Sequence, residues 1–166
     1  MAVFVVDALA RRPRLTWPVL AAGAALAVAP DLDILAGSHR TYSHSIGAVV
    51  IVGAICWLLR ARLPGPAAAA ALTAAYGSHL ALDWLSRDTS APSGLMALWP
   101  MTAEYYKSGW DVFGEISRRY WRPEEFLFGN LRAALRELAL LAPFLLVAWA
   151  VWSAATVKTN SGREAR

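Results

Sequence analysis

Six residues within fourteen positions carry most of the chemistry this chain can offer: Asp31, Asp33, His39, Arg40, Ser43 and His44. Two carboxylates, two imidazoles and a guanidinium share one short polar window between apolar runs. Those are the side chains that hold a divalent cation and meet a phosphate. The chain has three histidines, and the third, His79, is followed four residues later by Asp83. On a helix that spacing puts both on one face, about 40° apart. A carboxylate beside an apolar run is costly without a cationic partner. The window and the His79–Asp83 pair are therefore expected to meet as one site.

Local backbone decides how the window works. Asp31 and Asp33 share a side of an extended strand but would point about 200° apart on a helix. Pro30 disfavours a continuing helix, so the segment is expected to be extended. Ser43 is placed to cap a helix that follows, and His39 and His44 can converge only through the loop. Oxygen and imidazole donors together suit zinc, with manganese or iron(II) as alternatives. Arg40 offers a planar fork to a phosphate oxygen, or else a salt bridge to Asp31 or Asp33.

The elements that position these residues are apolar. The 166 residues are 57% hydrophobic and 17% charged, with a mean hydropathy of +0.40, against about 45–50% and about 25% in soluble domains. The net charge of +4 is modest and dispersed, which excludes a nucleic-acid binder and suits anionic lipid headgroups. Cys56 stands alone in an apolar run, with a packing role and no disulfide. Four apolar runs are expected to form helices: 15–29, 46–59, 67–85 and 138–157. The last alone has the ~20 residues of a full membrane span. The first also has the order of a signal peptide, but cleavage after Ala29 would leave the acidic motif at a free end, so a retained helix is preferred.

Nine of the eighteen aromatics lie between Trp99 and Phe128, interleaved with charges such as Lys107, Asp111, Glu115, Arg118 and Arg119. Such a pattern collects at the headgroup level. It predicts one or two interfacial helices over a bundle mouth, within about 86–136. The expected architecture is all-α: one domain, 1–166, a membrane-embedded bundle of about four apolar helices with an aromatic-rich interfacial helical segment. Its motif core spans 30–102, and a polar tail from Lys158 is expected to fray. Density of basic residues puts both termini on the cytoplasmic side. Asp88 reads as a loop cap or a proton acceptor. Glu137 opens the last helix, where its charge suits the helix dipole.

Pro30-Asp31-Leu32-Asp33, His39-Arg40-x-x-Ser43-His44-Ser45, His79-x-x-x-Asp83, and Gly94 with Leu98-Trp99-Pro100 together resemble the YdjM-like family of inner-membrane, metal-dependent hydrolases, over roughly 1–102. The pattern is more distantly similar to the zinc-dependent phospholipase C and single-strand nuclease superfamily. The resemblance implies a multi-pass inner-membrane protein with Asp33, His44, His79 and Asp83 as metal ligands. Asp31, His39 and Arg40 would lie in the first or second shell. It further implies a phosphoester substrate, with Arg40 on a non-bridging oxygen and Asp31 or Asp88 taking the proton, and a membrane address suggests a lipid-linked one. The chain departs from the family in having Asp7-Ala8-Leu9 where a histidine usually precedes Ala-Leu. It has Ser43-His44-Ser45 for Thr-His-Ser, and no histidine after His79. One or two ions are expected rather than three. A non-catalytic membrane protein that binds a metal or a partner would explain the same ligands.

Overall fold

The computed structural model describes residues 16–37, 39–89, 91–117 and 121–164; the Asp7 motif and the basic N-terminal segment lie outside them. Helix α1, Trp17–Val28, starts from an extended Thr16 with proline in its first turn, where a missing N–H costs nothing. Pro30 ends the α-helix but not the winding. The chain tightens into a 3-10 helix over Ala29–Ala36, closed by Gly37 in the left-handed conformation at φ 77°. The extended segment expected after Pro30 is thus a 3-10 helix, because proline's fixed φ fits the first turn of a new helix as well as a strand.

Helix α2, Ile46–Leu58, is capped by Ser45 rather than Ser43: Ser45 Oγ accepts from the Ala48 N–H at 3.0 Å. A short 3-10 turn, Leu59–Arg62, and the Leu63-Pro64-Gly65-Pro66 corner lead into α3, Pro66–Leu85. Helix α3 is the central element and packs on both α1 and α2. Its buried face is half alanine, Ala69, Ala71 and Ala75, with Leu72, Tyr76 and Leu80. Small side chains let the backbones approach, and Gly53 of α2 abuts Thr73 so closely that a Cβ would lie 3.1 Å from its methyl. Val19, Cys56, Ala69 and Leu72 form the main apolar cluster, which gives Cys56 its packing role.

Residues 86–117 form no helix among those described, contrary to the interfacial helices expected. Pro92, Gly94, Pro100, Gly109 and Gly114 break any helical run. The backbone instead pairs with itself at two isolated bridges, Ser86 with Phe113 and Leu95 with Tyr106. The segment also reaches back to α2, whose Ile46 and Gly47 N–H groups donate to the Ala97 and Trp99 carbonyls at 2.8 and 3.1 Å. Those donors belong to a helix's first turn and have no partner inside it. Its aromatics divide: Phe113 is buried, while Trp110 is exposed.

A π-helical turn, Glu125–Gly129, opens α4, Asn130–Glu164. This helix is longer than the expected 138–157 at both ends, and the tail expected to fray continues it. Asn130 anchors its start by accepting from the Ser117 N–H at 2.7 Å and donating to the Ser117 carbonyl at 2.9 Å. Among the described residues, two helical runs are long and apolar enough to cross a membrane, Trp17–Ala36 and Glu125–Val151. Their most apolar windows are only 17% and 6% buried, unlike the core helix of a soluble protein. Helix α2, at 13 residues, is about 20 Å long by the ordinary rise, and α3 carries the polar site.

Gly94 sits at φ 105°, and a Cβ there would lie 2.4 Å from the Tyr106 carbonyl oxygen. Gly94→Ala is expected to destabilise the protein by roughly 1–3 kcal/mol. Gly129→Ala, where a Cβ meets nothing within 4 Å, should leave the unfolding midpoint in detergent unchanged or slightly raised.

Candidate metal centre

Three elements bring the site together at one end of the helix pack. The 3-10 turn after α1 supplies Asp31 and Asp33, the turn into α2 supplies His44, and the last turns of α3 supply His79 and Asp83. His44 is at the centre. It is 0% exposed, with the His39 ring centroid 5.1 Å away and that of His79 5.2 Å away. The Tyr76 hydroxyl of α3 donates to the Ser43 carbonyl at 2.7 Å and pins the turn that carries it.

The two nitrogens of His44 face different neighbours. Nδ1 lies 3.1 Å from Asp33 Oδ2, which also accepts from Ser43 Oγ at 2.9 Å. Nε2 points the other way, 3.3 Å from Asp83 Oδ2 and 3.6 Å from Asp31 Oδ1. Asp31 and Asp33 therefore straddle one imidazole instead of acting from one side, as the 3-10 winding requires. His79 presents the same polarity. Its Nδ1 donates to the Ala27 carbonyl at 2.8 Å, which leaves Nε2 facing Asp31 Oδ1 at 3.4 Å and Asp83 Oδ2 at 3.8 Å.

The donor atoms form two groups compact enough to hold an ion, Asp31–His44–His79–Asp83 and Asp33–His39–His44. Within the first group, His44 Nε2, His79 Nε2 and Asp83 Oδ2 are buried and lack any hydrogen-bond partner. Buried polar atoms are rarely left so, and three that converge on one point have the chemistry of a cation site. A divalent ion fits this donor set.

Arg40 does not pair with Asp31 or Asp33. Its guanidinium meets both oxygens of Asp83 at 3.3 Å and Asp88 Oδ2 at 2.8 Å. Its backbone holds the left-handed conformation at φ 61°, which a non-glycine residue keeps only when its surroundings demand it. The Met96 N–H, donating to the Arg40 carbonyl at 3.1 Å, is one such demand. Asp88 also accepts from the Gly94 N–H at 2.8 Å, so it caps the loop and holds Arg40 together. Beside this group opens a cavity of about 160 Å³, lined by Asp31, His39, Arg40, Asp83, Asp88 and the unforeseen pair Glu115 and Ile116. A larger apolar hollow between α2 and α3, about 420 Å³, lies away from these residues. Glu137 is partly buried in α4 and falls in neither ligand group.

Composition and spacing pointed to the polar window, but not to the Ala27 carbonyl or to Ser43 as a donor to Asp33. Backbone acceptors carry no sequence signal, and a serine reads equally well as a helix cap.

Burial works against a charged His44, but the carboxylates of Asp31 and Asp83 outweigh it and push the imidazole up to about 9, from an ordinary 6.5. A group raised on folding stabilises fully below its ordinary value and loses that contribution as pH rises through the folded one. The thermal midpoint of chelator-treated protein should therefore fall between pH 6.5 and about 9, and His44→Gln should flatten that fall. Arg40→Ala leaves Asp83 and Asp88 largely buried without their cation, a loss on the order of 3–5 kcal/mol that the same melts would register.

The YdjM inner membrane protein family model matches residues 1–160. No curated protein and no solved structure matches the chain. The motif order, the helical fold and this match over nearly the whole length agree: the chain belongs to the YdjM inner membrane protein family.

Proposed function

We propose that this chain is a membrane-bound, metal-dependent hydrolase of phosphoesters. The observation that carries the reading is the convergence of His44 Nε2, His79 Nε2 and Asp83 Oδ2, all buried without hydrogen-bond partners, beside Asp31 Oδ1. These four residues would hold the ion. Nitrogen and carboxylate donors suit zinc, manganese or iron(II). When bound, such an ion supplies Lewis acidity and makes water nucleophilic at neutral pH.

The chain's own residues do the rest. Arg40 lines the cavity and orients an anionic oxygen of the substrate, while Asp88 holds its guanidinium in place and Asp83 anchors the opposite edge. Asp31 is the most exposed of the four candidate ligands and faces the cavity, which puts it nearest an incoming group. At about 160 Å³ the cavity suits a phosphate-sized moiety better than a whole drug-sized ligand, whose pockets run from about 300 Å³. The rest of such a substrate stays outside. A lipid-linked phosphoester fits, because Asp31 and Asp33 end the candidate span Trp17–Ala36, and Leu32 and Leu35 of the same turn are exposed.

A second reading is a non-catalytic metal- or partner-binding membrane protein. It is favoured by one observation, that Asp83 and Asp88 already occupy the Arg40 guanidinium. Metal content and hydrolysis together separate the two. Purified protein is expected to carry a divalent metal and to cleave a generic phosphodiester or a phospholipid in mixed micelles. His79→Ala and Asp83→Ala should lose at least about 100-fold in turnover, since even outer-shell changes cost 10–100-fold. Bound metal with no turnover on either substrate selects the second reading, and equal turnover in both variants overturns the first.

A further inference from the structure

The two ligand groups share His44. A neutral imidazole has one lone pair and one N–H, so its two nitrogens cannot both coordinate. Which group takes the ion depends on which nitrogen keeps the proton, and the surroundings of Asp33 decide it.

The Asp33 carboxylate is held at both oxygens. Oδ2 accepts from Ser43 Oγ at 2.9 Å and the Thr41 N–H at 3.4 Å, and faces His44 Nδ1 at 3.1 Å. Oδ1 faces His39 Nδ1 at 3.1 Å. Three of these contacts fall on Oδ2 and one on Oδ1, and Ser43 Oγ also lies 3.1 Å from His44 Nδ1, so Asp33 is tied to the turn that carries His44. The contrast with Asp83 is sharp, because its Oδ2 is buried with no hydrogen bond although Arg40 lies 3.3 Å away. His79 supplies an internal comparison. Its Nδ1 is held from behind by a carbonyl and its Nε2 faces the cluster, the orientation that Asp33 imposes on His44.

We propose that Asp33 is a positioning residue and not a ligand. It holds the Nδ1 proton of His44, with Ser43, Thr41 and His39 fixing its own carboxylate, so that Nε2 is the nitrogen His44 turns to the ion beside Asp31, His79 and Asp83. This rests on the metal-centre reading above and withdraws from Asp33 the ligand role that the family resemblance implies.

The test uses the full-length protein in detergent, loaded with cadmium-113 and labelled with nitrogen-15 histidine. Cadmium–nitrogen coupling is expected at Nε2 of His44 and of His79, with a proton on His44 Nδ1 and no coupling at His39. Coupling at His44 Nδ1 or at His39 overturns the inference while leaving the metal centre standing. No uptake of cadmium, zinc or manganese overturns the metal centre and this inference with it. The wild-type pattern decides even if a variant fails to fold. Asp33→Asn is expected to keep one cadmium per chain with the same couplings and chemical shift, bound about 10–100-fold more weakly. Asp31→Asn is expected to move the cadmium shift. A shift moved by Asp33→Asn and unmoved by Asp31→Asn overturns the inference.

Discussion

The constraint on which the rest depends is the complete burial of His44 between carboxylates. An imidazole with no exposed surface cannot be left with bare polar atoms, so each nitrogen has to be matched from inside the protein. Asp33 meets one nitrogen, while Asp31 and Asp83 crowd the other. That crowding is tolerable only with a cation among the carboxylates, either a proton on the ring or a metal ion. The two are alternatives, because a metal displaces the proton it replaces. Arg40, clamped on Asp83 and Asp88, supplies fixed positive charge whichever of the two is present.

Packing explains why the site is at this end of the molecule. Helix α3 touches α1 and α2 through alanines, which brings backbones close but offers few side chains to set direction. Direction comes instead from polar links at the α3 C-terminal end: Tyr76 to the Ser43 carbonyl, His79 to the Ala27 carbonyl, and Arg40 to Asp83. The same bonds that orient the donor atoms thus also register α1 and α2 on α3. The apolar interior and the polar cluster are complementary, one giving proximity and the other alignment.

Much of this could be read from residue order. The four helices, the pairing of His79 with Asp83 on one helical face and the meeting of two distant segments followed from hydrophobic runs and from spacing. What could not be read was local backbone. Pro30 is equally compatible with an extended chain and with a 3-10 turn, and that choice determines which aspartate faces which nitrogen. Up to Ser117 the aromatic-rich segment fails as helix for a related reason, while Phe126 and Phe128 lie on the π-helical turn that opens α4. Its interleaved aromatics and charges satisfied an amphipathic pattern, while five scattered glycines and prolines forbade the winding. Arg40 was assigned a phosphate or a nearby aspartate, since Asp83 is 43 residues away in the chain and Asp88 looked like a loop cap.

The return of the Ser86–Ser117 segment to the start of α2 bears on how the protein is made. Ile46 and Gly47 find their acceptors in Ala97 and Trp99, about fifty residues later, and a closure of that length carries an entropic cost before any bond rewards it. In order of synthesis α2 and α3 both precede those acceptors. The first turn of α2, next to His44, is therefore completed only after α3 has been made. A chain ending before residue 97 would lack the acceptors that complete the turn beside His44.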